Sequence, residues 1–385
     1  MRVLLIAPQP FYQERGTPIA VRLLAETLCQ FGHTVDLLVY HAGEDISVPG
    51  LRLIRAARPP GVGHVPIGIS WQKLLCDVAL FAAMVKLLRR NDYDVIHAVE
   101  EAIFPTALFA AFSRRKFVYD MDSSLSEQLT DKWRMMKPFA GMLRWIERLA
   151  VSRATTVFAV CEDLASKVRP WVGPNRVLVL PDVPLDDDAT QAGSVDRLRD
   201  LVCADAVVGL YVGNLERYQG IDLLVDAITL VPPSERFEMI VIGGDPASVE
   251  RYREQARLCG VAERLHFVGA RPVGQLNGYL AQADILVSPR ILGGNTPMKI
   301  YSYMQSGKAI LATQIRSHLQ AIDATCAELV PAEPQAMADG IVRLTRDLER
   351  RRRLGLAARE RAQREYSLPV FQKKLQLAYE RMSHA

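Results

Sequence analysis

Ala283-Asp-Ile-Leu-Val-Ser-Pro-Arg290, Gly293-Gly-Asn-Thr-Pro-Met-Lys-Ile-Tyr-Ser-Tyr-Met304 and Gln305-Ser-Gly-Lys-Ala-Ile-Leu-Ala-Thr313 run almost head to tail. The first piece reads as a short buried strand, the second as a glycine-rich loop opening a helix, and the third as a stop at Gly307 followed by another strand. Thr296 and Pro297 fit a helix cap and a first-turn proline. Arg290 and Lys299 flank the expected helix start. Free N–H donors, the positive end of a helix dipole and one or two cations are what a diphosphate requires.

The same rhythm extends in both directions. Upstream, Tyr211-Val-Gly-Asn-Leu-Glu-Arg-Tyr-Gln-Gly-Ile-Asp-Leu-Leu224 and Val241-Ile-Gly-Gly-Asp-Pro246 each read as a strand opening onto glycine, which lets a ligand approach the backbone. Further strands are expected at 265–268 and 328–330. In the first half, strands are expected at 3–7, 35–39, 51–54, 95–97, 117–119, 156–160 and 177–180, with helices near 18–31, 71–90, 103–112, 139–152 and 163–171. Strands alternating with helices predict parallel sheets buried on both faces, so runs such as Val3-Leu-Leu-Ile-Ala7 lack polar alternation. Pro181–Ser194, with its prolines and acidic triplet, is the expected linker. The expected domains are 1–185, 186–366 and a closing helix within 367–385.

Composition bounds the function. The chain has 385 residues and a formal net charge of +4, room for two domains. The charge is too small for a nucleic-acid stripe. Through Leu180 there are 22 Lys and Arg against 17 Asp and Glu, so the excess is N-terminal and suits an anionic acceptor or membrane surface. The six cysteines are scattered without a CxxC pair, the pattern of reduced thiols in a cytoplasmic protein and not of a structural zinc. No apolar run approaches a membrane span, and the N-terminal run reads as a strand, not a targeting segment.

The succession VGNL…QG, VIGG, HFVG, ADILVSPR and GNTPMKIYSYM…SGKAILAT resembles the donor domain of GT-B glycosyltransferases. It is most similar to the group that includes glycogen-synthase-like and phosphatidylinositol-mannosyltransferase-like retaining enzymes. The resemblance spans the whole chain, including Gly16-Thr17 after the first strand. It implies two Rossmann-like domains, a C-terminal helix crossing back to the first, a UDP- or GDP-linked sugar as co-substrate, and no cofactor or metal. Carried over residue by residue, it places donor contacts at Gly16, Gly213, Asn214, Arg217, Gln219, Gly243, Arg271, Arg290, Asn295, Thr296, Pro297, Met298, Lys299 and Ser302.

The chain also departs from that pattern. Two glutamates eight positions apart are replaced by Gly294 and Ser302, and the usual Arg and Lys of the first motif by Asn214 and Gln219. A histidine common after the fourth strand falls near Val99, and Asp122 stands where a second one is frequent. Glu100, Glu101, Asp120 and Asp122 are then the carboxylates near two strand ends; Asp122 and Glu100 are the candidates for taking an acceptor proton or stabilising a cationic centre. Asp122-Ser-Ser-Leu125 also fits a helix cap. The Asp120-Met-Asp122 spacing matches a metal motif of a different glycosyltransferase fold, in the wrong context. The missing glutamates leave a non-catalytic nucleotide-sugar-binding partner as the alternative.

On the acceptor side, Lys132–Arg148 mixes basic residues with Trp133, Met135, Met136, Phe139, Met142, Trp145 and Ile146. Positions 135, 139, 142, 146 and 149 share a helical face. That face either packs on the sheet or lies in an anionic membrane surface on the cytoplasmic side. The acceptor expected is accordingly a hydroxyl of a lipid or lipid-linked saccharide, with a soluble saccharide as the alternative.

Overall fold

A computed structural model describes all residues except 15, 64, 66–69, 114, 186–194 and 385, so most of the expected linker lies outside the described residues. The chain divides into two compact units, Met1–Pro181 with Gln372–Ala385, and Asp182–Phe371.

The first unit runs β1 (Arg2–Ile6), α1 (Gly16–Gln30), β2 (Thr34–Val39), β3 (Leu51–Arg55), α2 (Trp71–Arg90), β4 (Val95–Val99), α3 (Ile103–Ser113), β5 (Phe117–Met121), α4 (Leu125–Lys132), α5 (Ala140–Val151), β6 (Thr156–Ala159), α6 (Glu162–Val172) and β7 (Val177–Val179). Its sheet has the order β3-β2-β1-β4-β5-β6-β7, every pair parallel. Crossover helices cover the sheet, which is why β1, β2 and β4 are buried almost throughout.

The second unit runs β8 (Val207–Val212), α7 (Ile221–Leu230), β9 (Phe237–Ile242), α8 (Pro246–Leu258), β10 (Leu265–Gly269), α9 (Leu276–Ala281), β11 (Ile285–Ser288), α10 (Met298–Ser306), β12 (Ala309–Thr313), α11 (Arg316–Leu319), β13 (Glu328–Val330), α12 (Pro334–Arg346) and α13 (Leu348–Glu365). Its order is β10-β9-β8-β11-β12-β13, again parallel. The last helix, α14 (Leu368–His384), enters the first unit, where Tyr379 is buried against His97 of β4.

The strand order of each sheet reverses once, between β1 and β4 and between β8 and β11. In open parallel sheets, ligands bind beyond the carboxyl ends of strands at such a switch point.

Three local expectations are corrected. Helix α10 begins at Met298, with Pro297 in the cap position and no side-chain cap bond, and Thr296 Oγ1 is buried without a partner. Ser124, not Asp122, occupies the cap position of α4. The segment after Trp133 is not one helix: a 3-10 turn over Arg134–Phe139, containing Pro138, precedes α5.

Candidate functional site

The switch point of the second unit is built from glycines and two cations. Gly213 follows β8 and Gly243 follows β9, both at positive φ (151° and 113°). A Cβ on Gly243 would strike the Gly213 carbonyl, and one on Gly213 would sit 3.0 Å from Lys299 Nζ. Gly220 (φ 74°) lies so close to the Pro289 carbonyl that no side chain fits. These glycines bring the β8, β9 and β11 loops to within backbone contact of one another.

Into this crossing point reach Arg290 and Lys299. Arg290 is 7% exposed; its Nε donates to Leu292 O at 2.7 Å and its Nη2 to Asn295 Oδ1 at 3.3 Å, with the Tyr218 ring 5.4 Å away. The guanidinium fills the space a side chain at Gly293 would need. Lys299, in the first turn of α10, donates to Gln219 Oε1 at 3.2 Å and lies 3.9 Å from the centre of the Tyr211 ring. Burial, and after it the charge of Arg290, holds the Lys299 ammonium well below its usual range. An anion between the two cations would reverse that.

A histidine that the sequence gave no reason to single out supports Arg290 from behind. His318 Nδ1 donates to the Thr313 carbonyl at 2.8 Å, which leaves Nε2 to accept from Ser288 Oγ at 2.9 Å. Thr313 Oγ1 in turn donates to the Arg290 carbonyl. Burial pushes the His318 pKa down to about 4, so the ring is neutral.

Of the other donor residues expected from sequence, Gln219, Asn295, Thr296, Pro297 and Met298 fall at this crossing point. Asn214 and Arg217 are exposed on the turn after β8. Ser302 is fully buried and accepts from Leu185 N–H at 3.0 Å, inside the core. Arg271 is held by Asp196 at 2.8 Å and by the Val268 carbonyl at 2.7 Å, beyond the edge strand β10. Gly16 belongs to the first unit, as the first residue of α1, and meets nothing at its Cβ position.

The first unit has its own cluster at the β1–β4 switch point. Glu100 immediately follows β4 with φ of 51°, the one non-glycine at positive φ among the described residues, a strained conformation of the kind concentrated at functional sites. Both of its carboxylate oxygens accept from Ser123 Oγ, at 3.0 and 2.8 Å. Burial first, then the charge of Glu101, pushes its pKa up to about 8. Glu101 pairs with Lys73, and Asp77, raised by burial to about 6, accepts from Tyr40. Asp120 is the fourth residue of β5, 3.6 Å from His97 Nε2. Asp122 lies one residue past that strand. Among the described residues no group of three or more His, Cys, Asp or Glu is placed to hold a metal ion.

Family models place this chain. Residues 15–182 match the glycosyl transferase 4-like domain, and residues 206–347 match glycosyl transferases group 1. A phosphatidyl-myo-inositol mannosyltransferase of Mycolicibacterium smegmatis is 24% identical over 397 residues, covering 100% of this chain and 95% of that protein. Among solved structures, sucrose-phosphate synthase from Thermosynechococcus elongatus superposes with a TM-score of 0.78 at 20% identity, over 100% of this chain and 99% of the other. The Anabaena protein HepE in complex with UDP-glucose gives 0.73 at 18% identity, over 99% of both chains. With the two domain models covering both units and the full-length likeness to GT-B structures, the chain belongs to the group 1 glycosyltransferases, nucleotide-sugar-dependent transferases of the GT-B fold.

Proposed function

We propose that this enzyme moves a sugar from a nucleoside-diphosphate donor, bound at the β8–β11 switch point, to a hydroxyl of a lipid or lipid-linked saccharide. The observation that carries the donor half is the paired Arg290 and Lys299 beside the start of α10, with the buried Thr296 hydroxyl lacking a partner. Two fixed cations and a helix N-terminus stabilise the charge that builds on a departing diphosphate. That supports a metal-independent reaction.

In the acceptor half, Glu100 is the favoured proton acceptor. A carboxyl with a pKa near working pH is tuned to take a proton from a hydroxyl, and Ser123 fixes its orientation. Asp122, two residues beyond Asp120, is the second candidate. The lipid reading rests on the exposed apolar and basic residues of α5 and the turn before it, and on the lipid-modifying relative in Mycolicibacterium. Retention of anomeric configuration follows the family, with the donor-side carboxylate replaced by Gly294.

A panel of UDP- and GDP-sugars, read by nucleoside-diphosphate release with and without a lipid extract, tests this. Release of UDP or GDP from one donor, stimulated by lipid, supports the reading. Tight binding with no release from any donor would make the chain a nucleotide-sugar-binding partner.

A further inference from the structure

Between α3, α4 and α5 of the first unit lies a cavity of about 200 Å³ lined by Phe104, Leu125, Leu129, Leu143 and Ile146, with Ser126 and Glu147 at its polar end. Its walls follow from helix geometry. Leu125 and Leu129 are four apart on α4, and Leu143 and Ile146 three apart on α5, so each pair shares one face. Glu147 sets the spacing: 1% exposed, it accepts from Ser124 Oγ at 2.9 Å, Ser126 Oγ at 2.7 Å and Leu125 N–H at 3.0 Å. This clamp fixes the start of α4 to α5, and the aliphatic side chains beyond it do not close the gap.

The cavity meets the surface at a patch of unusual composition. Ile146 lines it and is also 39% exposed, and on either side of Ile146 stand exposed Met142, Trp145 and Leu149. Phe104 continues along α3 to exposed Leu108 and Phe112, at successive intervals of four. Lys137, Arg144 and Arg148 are exposed around the patch, while Glu147, the one acid between Trp133 and Val151, is buried and fully bonded. Every exposed charge of that stretch among the described residues is therefore positive.

We propose that the cavity takes the end of one alkyl chain of an anionic lipid, while the basic and aromatic residues around it meet the headgroup layer. An apolar pocket of this size, open on one side, lets the end of an alkyl chain leave water. A positive rim favours an anionic lipid over a hydrophobic peptide, and Trp145 and Trp133 suit the boundary between headgroup and chain. The proposal deepens the lipid reading given above and rests on it.

The test separates docking from chain uptake. Dodecyl phosphate, kept below its micellar concentration, is titrated into the full chain by calorimetry. Co-sedimentation with phosphatidylglycerol–phosphatidylcholine vesicles is measured in parallel. Wild type binds one dodecyl phosphate, and hydrogen exchange of α4 and α5 slows when it does. Leu129→Trp and Leu143→Trp, which fill the cavity, weaken that binding by roughly 15- to 60-fold, as expected for excluding two or three methylenes, and leave vesicle binding within about twofold. Unchanged dodecyl phosphate affinity in both filled variants overturns the proposal. So does a wild type that binds vesicles but shows no exchange protection with dodecyl phosphate, an outcome that needs no variant. A wild type that binds neither overturns the membrane reading together with it.

Discussion

At the residue scale, the neutral imidazole of His318 ties β11, β12 and the Arg290 carbonyl together, and its chemistry fixes how stability depends on pH. Its pKa is lowered in the fold, to about 4 from an ordinary 6.5. The unfolded chain therefore binds the extra proton first. This contribution is full above about pH 6.5 and is lost progressively as pH falls towards about 4, by up to roughly 3 kcal/mol. Urea denaturation of wild type and His318→Gln at pH 7 and pH 5 should show the wild type losing more stability on acidification; parallel losses would contradict it. Glu100 has the opposite sign. Its raised pKa makes the ionised form the scarcer one at neutral pH, so an acceptor-proton role predicts activity rising with pH through about 8. Glu100→Gln should lower kcat by roughly a hundredfold or more and flatten that profile, with donor affinity unchanged. A variant that keeps the wild-type profile would leave the strain at Glu100 structural. Gly220→Ala drives a methyl into the Pro289 carbonyl and forces positive φ. It should cost at least about 1–3 kcal/mol of stability, read as a drop in urea midpoint.

At the scale of elements, periodicity carried much and missed what depends on three dimensions. The strands were legible because two-sided burial leaves apolar runs, as in Val3–Ile6 of β1 and Ala309–Ala312 of β12. The glycines of 211–224 and 241–246 announced turns, but not that Gly243 and Gly213 touch or that Gly293 yields its side-chain space to Arg290. His318 was invisible because a lone histidine in a short helix carries no pattern. Nothing in the sequence singles out Glu147, yet it is the buried clamp of α4. Positions 135, 139, 142, 146 and 149 were legible as an apolar stripe, yet the structure splits them between the 3-10 turn and α5 and leaves all five exposed, while Ala150 and Val151 pack inward. Charge there has a measurable consequence, since each basic group near an anionic surface contributes on the order of 1 kcal/mol. Lys137→Gln with Arg144→Gln and Arg148→Gln should release most of the protein from anionic vesicles at moderate salt, without lowering its melting temperature. Retained vesicle binding would contradict a membrane role for this face.

At the scale of the whole molecule, two parallel sheets each place functional groups at a single reversal of strand order. One carries a strained carboxylate with a raised pKa, the other a pair of cations at glycine-lined strand ends. Among the described residues no helix is long and apolar enough to cross a membrane. Because the donor site holds its own cations, turnover should persist after exhaustive EDTA treatment. Activity lost and restored only by magnesium or manganese would contradict that. Whether Arg290 and Lys299 hold the diphosphate is measured directly by calorimetric titration of UDP and GDP into wild type, Arg290→Ala and Lys299→Ala. Each substitution should weaken nucleoside-diphosphate binding by about 1.5–3 kcal/mol, the range for a lost charge-assisted hydrogen bond. Unchanged affinity in both variants would contradict it.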